Sequence, residues 1–112
     1  LVGSEMCIRD RNCGVHVVLK GAATVIAHPD GSAYINPTGN PGMASGGMGD
    51  VLTGVIAGLI AQGFAPKAAT HAAVYLHGAA ADTLARTVGP IGYLAGEVMN
   101  AIPGEIKKII EA

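Results

Sequence analysis

Between Asn36 and Met48 the chain carries Pro37, Gly39, Pro41, Gly42, Gly46 and Gly47. That density of glycine and proline excludes a regular element. Directly after it, Val51, Leu52, Val55, Ile56, Leu59 and Ile60 recur at helical spacing as one apolar stripe. A glycine-rich loop that feeds a helix is a device for holding anions, because its backbone N–H groups can point at phosphate oxygens and the helix dipole adds partial positive charge. Glycine lets the backbone approach such a ligand closely. Asp50 stands at the start of the helix, where a carboxylate could act as general base toward a hydroxyl being phosphorylated. The same carboxylate could also do no more than complement the dipole, and Gly46 to Asp50 alone do not separate the two. The loop is neither common nucleotide fingerprint: it lacks the Lys-Ser/Thr ending of a P-loop, and its glycines miss the dinucleotide spacing.

The flanks are orderly. Val15 to Leu19 is a β-rich apolar run ending at Lys20-Gly21, and Thr24 to Ala27 is a second. Pro29-Asp30-Gly31 is a turn signal, and Ser32 to Ile35 completes a hairpin. Beyond the loop, Gly63 ends the first helix and Pro66 opens the next. Residues 67–86 repeat the helical pattern through Ala68, Ala72, Val74, Tyr75, Leu76, Ala79 and Leu84, with alanines that suit close packing. Gly89-Pro90 breaks it, and Leu94–Ala101 and Pro103–Ile110 read as two short terminal helices. Two or three strands make a narrow sheet that needs partners, so the chain suits one part of an α/β sandwich better than a complete one.

With 112 residues and a formal charge of −1, the chain offers no electrostatic case for a nucleic-acid partner. Its longest apolar stretch, Val51 to Ala61, falls short of a membrane span and is interrupted by Thr53, Gly54 and Gly58. No signal peptide is evident, so a cytoplasmic protein without a membrane partner is expected. Cys7 and Cys13 are too few for a disulfide framework and read as reduced thiols. His71 and His77 lie six apart and do not share a helix face; His16 and His28 sit in a strand and beside a turn. No histidine cluster, and no protein-held metal, is expected.

Residues 1–11, LVGSEMCIRDR, differ in character from the rest: they have no strand alternation, no helical stripe and a high charge density. They resemble an adapter-derived peptide that recurs at the ends of translated assemblies, and we read them as non-native. Arg9 and Arg11 balance Glu5 and Asp10, so setting the segment aside leaves the net charge unchanged. On this reading the native protein continued upstream, and residues 12–112 are one part of a larger domain.

Gly47-Met48-Gly49-Asp50 resembles the Gly-x-Gly-Asp anion-hole motif of ribokinase-like kinases. More narrowly, Gly39-Asn40-Pro41-Gly42-Met43-Ala44-Ser45 leading into Gly46-Gly47-Met48-Gly49-Asp50 resembles the ADP-dependent NAD(P)H-hydrate dehydratases. Lys20-Gly21-Ala22-Ala23-Thr24, Leu52-Thr53-Gly54, His77-Gly78-Ala79-Ala80 and Ile102-Pro103 extend the likeness over roughly residues 15–110. The resemblance implies the C-terminal portion of a ribokinase-like three-layer α/β sandwich, with a short strand and hairpin region followed by helices. It implies a lyase that repairs hydrated NADH or NADPH: the hydroxyl is phosphorylated from ADP or ATP, and phosphate is then eliminated to restore the double bond. Asp50 would bind the hydrated substrate and act as base, with Asn40 also at the substrate. Lys20, Gly21, Ala22, Ala23, Thr24 and Gly49 would bind the adenine nucleotide, and Gly46, Gly47, Met48 and Gly49 would form the anion hole. Mg2+ is implied through the phosphate chemistry alone. A homo-oligomer, and an NAD(P)H-hydrate epimerase as partner or fused domain, complete the implied partners.

Two departures stand out. After Leu94-Ala95 the family often has Ser or Thr and then Asp, whereas this chain has Gly96-Glu97. The family also draws part of its substrate site from an N-terminal half absent here. Ser45 and Thr53 have no histidine nearby in sequence to activate them as nucleophiles. Met43 and Met48 read as pocket lining; if Met48 gives only its backbone N–H, its truncation to alanine should cost little. Alternatives are a small-molecule kinase of the same fold, or an inactive nucleotide-binding fragment.

Overall fold

The computed structural model describes residues 15–20 and 24–112. The reading of residues 1–11 as foreign, and the assignment of Gly21, Ala22 and Ala23 to the nucleotide, fall outside the described residues.

Three short strands, β1 (Val17–Leu19), β2 (Val25–Ala27) and β3 (Ala33–Ile35), form an antiparallel sheet in the order β1-β2-β3. Val18 pairs with Ile26, and Ile26 with Tyr34. Asp30 makes the β2–β3 turn through its carboxylate, which accepts from the Ser32 N–H at 2.8 Å and from the Ser32 hydroxyl. A 3-10 turn, Pro41–Met43, follows the sheet. Then come α1 (Met48–Ala61), α2 (Pro66–Thr87) and α3 (Ala95–Ile110). Proline at the first position of α2 costs no hydrogen bond, because that N–H has no partner inside the helix in any case.

The helix α2 is central: it packs against both α1 and α3. Two apolar clusters result. Ile26 of the sheet meets Leu52 of α1 and Ala73 and Val74 of α2, with Val18 and Tyr34 alongside. Met48, Leu76, Ala80, Ala81, Leu84, Tyr93, Val98 and Ile102 form the other. The buried stripe of α2 runs through Ala69, Ala73, Leu76, His77, Ala80, Ala81 and Leu84, while Ala68 and Tyr75, expected on the apolar face, are exposed. Alanines surround α2 on every side, so its inward face is set by the fit of neighbouring helices rather than by a polarity contrast.

The last 16 residues of regular structure form one helix rather than two, because α3 continues through Pro103. A proline there removes one i→i−4 bond, to the Met99 carbonyl. Met99 is exposed, so water can serve that carbonyl. Val98, Ile102 and Glu105 bury one continuous face on α2 and carry the helix past the break. Glu105 accepts from the Thr83 hydroxyl of α2 and pairs with Lys108 at 3.0 Å. Burial alone would raise its pKa, but those two donors hold it below the usual value.

The expectation that the histidines do not cluster is overturned. His16, His28 and His71 are brought together, with Nδ1 to Nδ1 and Nε2 to Nε2 contacts of 2.6 Å each. Tyr34 stacks on His71 at a ring separation of 4.4 Å. Their sequence separations of 12 and 43 put this beyond any spacing rule. His28 turns a different ring nitrogen to each neighbour, so the three rings do not converge on one point. Among the described residues no group of three His, Cys, Asp or Glu side chains could hold a metal ion.

Candidate functional site

The first turn of α1 is open. Gly47 is its N-cap, with φ +89, a conformation that glycine adopts without penalty, and it offers no side-chain cap. A helix leaves its first four N–H groups without intrahelical partners. Here those are the amides of Gly47, Met48, Gly49 and Asp50, and among the described residues no side chain caps the turn. A Cβ built on Gly49 would lie 3.5 Å from the Lys20 Nζ, which places that ammonium over the same turn. Backbone donors, the positive end of the dipole and a lysine thus meet at one spot, an arrangement that suits an anion.

Beside it opens a cleft of about 800 Å3. Lys20 and Thr24 line it from the sheet side, the loop contributes Thr38 to Pro41 and Met43 to Gly46, and Met48, Gly49 and Leu52 come from α1. Val74, His77 and Gly78 come from α2. Lys20, Thr24, Asn40, Gly46, Met48 and Gly49 therefore line the same cleft. Gly47 does not line the cleft, although it caps the helix at its edge. Asp50 is exposed on the first turn of α1 and does not line the cleft either.

The side chain of Asn40 is largely committed within the protein. Its Oδ1 accepts from the Gly42 N–H at 3.0 Å and the Tyr93 hydroxyl at 2.6 Å, and its Nδ2 donates to Asp82 at 2.8 Å. One amide hydrogen remains for a ligand. Met48 lines the cleft but is only 2 % exposed, with its side chain in the core. The condition under which its truncation would cost little is not met: the residue gives both an amide to the turn and a side chain to the core. Glu97, the acid of the departed Gly96-Glu97 pair, accepts from the Leu94 N–H at 2.9 Å and so caps α3. Neither residue of that pair lines the cleft.

Three residues escaped the sequence reading of the site. Asp82 and Tyr93 reach the loop from 42 and 53 positions away in the chain. His77 is 2 % exposed and lines the cleft, and its Nε2 has no partner among the described residues. Burial and the nearby Lys20 charge lower its pKa, against a smaller rise from a backbone hydrogen bond with Met48, so the ring is neutral. Burial raises the pKa of Tyr93, keeping its hydroxyl a donor to Asn40.

A short antiparallel sheet laid over helices, with an uncapped helix turn at a cleft, defines part of a ribokinase-like α/β domain. The sequence profile of the NAD(P)H-hydrate dehydratases matches residues 6–104, and the chain belongs to that family. Among relatives, it is 54% identical over 95 residues to the bifunctional NAD(P)H-hydrate repair enzyme Nnr of Moorella thermoacetica, covering 85% of this chain and 18% of that protein. It is 48% identical over 89 residues to the ADP-dependent (S)-NAD(P)H-hydrate dehydratase of Neisseria meningitidis, covering 79% of this chain and 30% of that one. The crystal structure of the ADP/ATP-dependent NAD(P)H-hydrate dehydratase of Bacillus subtilis, co-crystallised with ATP/Mg2+ and soaked with CoA, superposes with a TM-score of 0.89 at 40% identity. That match covers 95% of this chain and 39% of the Bacillus chain. The chain thus spans well under half the length of the relatives it matches.

Proposed function

We propose that the protein to which this chain belongs dehydrates hydrated NADH and NADPH at the expense of an adenine nucleotide. The observation that carries this is the uncapped first turn of α1 beneath the Lys20 ammonium, at the mouth of the cleft. The adenine nucleotide, ADP or ATP, occupies the cleft, with Lys20, Thr24 and Gly49 at its phosphates; Gly21, Ala22 and Ala23 are assigned to the same nucleotide on the sequence motif alone. The amides of Gly46 to Gly49 hold the phosphoryl group as it moves, where fixed donors are worth most. Asp50 takes the proton of the substrate hydroxyl as that oxygen is phosphorylated. Loss of phosphate, together with a ring proton, then restores the double bond.

The separation between Asp50 and the cleft supports this division. Nucleotide and hydrated nicotinamide would meet at the anion turn from different sides, the second completed by the rest of the domain. With three of its four bonding positions engaged within the protein, Asn40 would serve the substrate by shaping the loop rather than by touching it. Mg2+ would be held by nucleotide phosphates and water, and when bound would neutralise phosphate charge. The Moorella relative is a bifunctional repair enzyme by name, which supports a joined second activity that we assign to NAD(P)H-hydrate epimerase. A homo-oligomer and a cytoplasmic location belong to the same reading; no described helix is long and apolar enough to cross a membrane.

The test incubates the intact protein with hydrated NADH and ADP and follows the absorbance of the reduced ring. Recovery of absorbance with release of inorganic phosphate is expected. A persistent phosphoester would make the protein a kinase instead, and no reaction at all would remove both.

A further inference from the structure

We propose that Asp82 is a positioning residue for the anion turn, acting on the loop through Asn40. This rests on the dehydratase reading only for its kinetic readout. Asp82 stands on α2, yet both of its carboxylate oxygens are spent on the loop: Oδ2 accepts from the Gly39 N–H at 3.0 Å and Oδ1 from the Asn40 Nδ2 at 2.8 Å. Among the described residues it has no cationic partner, so these N–H donors are what balance its charge. Charge-assisted bonds of this kind are stronger and more directional than neutral ones.

A carboxylate can only accept, so the Asn40 amide must turn its NH2 toward Asp82 and its oxygen toward Gly42 and Tyr93. Those are the partners it has. Asn40 is the N-cap of the 3-10 turn Pro41–Met43, and Gly39, with φ +110, is where the loop reverses. The Ser45 N–H returns to the Met43 carbonyl at 2.9 Å, and Gly47 then opens α1. A series of local bonds thus runs from Asp82 to Ser45, two residues before the Gly47 that opens the helix. Catalysis is sensitive to such placement: a shift of about 1 Å can cost roughly 100-fold in rate.

The donor and acceptor roles make a reciprocal exchange decisive. Asn40→Asp puts a second carboxylate against Asp82, where both groups only accept. Combining it with Asp82→Asn restores complementarity with the bond reversed: the amide at position 82 donates to the new carboxylate, and its oxygen accepts from Gly39. In the intact enzyme, Asn40→Asp should lower kcat by about 100-fold with little change in KM for the hydrated substrate, and should displace the Gly47 and Gly49 amide resonances. The double exchange should return kcat to within a few-fold of the parent and bring those resonances back. A double variant that regains the resonances but stays as slow as the single one would overturn the proposal, because Asn40 would then act on substrate through its own amide. A parental rate in the single variant would overturn it equally. Should Asn40→Asp fail to fold, Tyr93→Phe carries the test, since it removes one bond to the same Oδ1. Parental kcat and parental Gly47 and Gly49 resonances there would count against positioning, and a coupled shift in both would support it. An enzyme with no turnover of hydrated NADH would sink the dehydratase reading, while the amide resonances would still decide the role of Asp82.

Discussion

Thr38 fits its hydroxyl into the notch that Gly78 leaves in the surface of α2. That hydroxyl donates to the Tyr75 carbonyl at 3.0 Å and accepts from the Asn36 Nδ2 at 2.8 Å. A Cβ at Gly78 would stand 2.2 Å from the Thr38 Oγ1 and 2.7 Å from its carbonyl carbon. Glycine to alanine inside a helix ordinarily stabilises by about 1 kcal/mol. Here the sign should invert: Gly78→Ala is expected to cost about 1–3 kcal/mol through forced displacement of the loop. Denaturant midpoints of the intact protein check this, and a raised midpoint would contradict the notch.

Met48→Ala should destabilise strongly. Its side chain is 2 % exposed among Leu76, Ala80, Leu84, Tyr93, Val98 and Ile102. Emptying such a site costs about 2–5 kcal/mol. A thermal melt that moves little would mean that the core collapses around the missing atoms.

Asp50→Asn should abolish turnover while leaving stability close to the parent, because Asp50 is exposed on the turn. ADP affinity should also survive, since the residue does not line the cleft. Calorimetric titration with ADP, run beside the turnover assay, separates the two effects; a variant at the parental rate would remove Asp50 as the base.

Stability should fall on mild acidification. In the folded chain the pKa values of His28, His71 and His77 lie below the usual 6.5, chiefly through burial. Charges on neighbouring histidines and Lys67 add to this for His28 and His71, and Lys20 does for His77. The unfolded chain therefore takes up protons first, at about pH 6.5, and the folded state resists them. The stabilisation is complete above that pH and is lost as the pH drops toward the lower folded values. Melting temperatures should be level from pH 7 to 8 and decline below 6.5, and His71→Gln should flatten part of the decline. An unchanged slope in that variant would place the titrating groups elsewhere.

The loop-to-helix junction was legible in sequence because glycine, proline and a helical apolar stripe act over short distances. Pro29-Asp30-Gly31 gave the β2–β3 turn for the same reason, and Lys20 and Thr24, quoted for the motif, both line the cleft. The misses are long-range. Asp82 and Tyr93 meet Asn40 only once α2 and α3 pack, and no periodicity encodes that. The three histidines look scattered until β1, β2 and α2 converge. Pro103 reads as a stop, yet the buried face of Val98, Ile102 and Glu105 outweighs one lost bond. The inward face of α2 was unreadable because alanine labels every side alike.

Met48 presents its amide to the anion turn and its side chain to the interior, so one residue belongs to two systems at once. Thermostability engineering could not treat these as separate targets. Repacking around Leu84 or Ile102 to harden the fold would also shift the backbone donors of that turn, and drift in those interior positions would be constrained by the shape of the cleft as much as by folding.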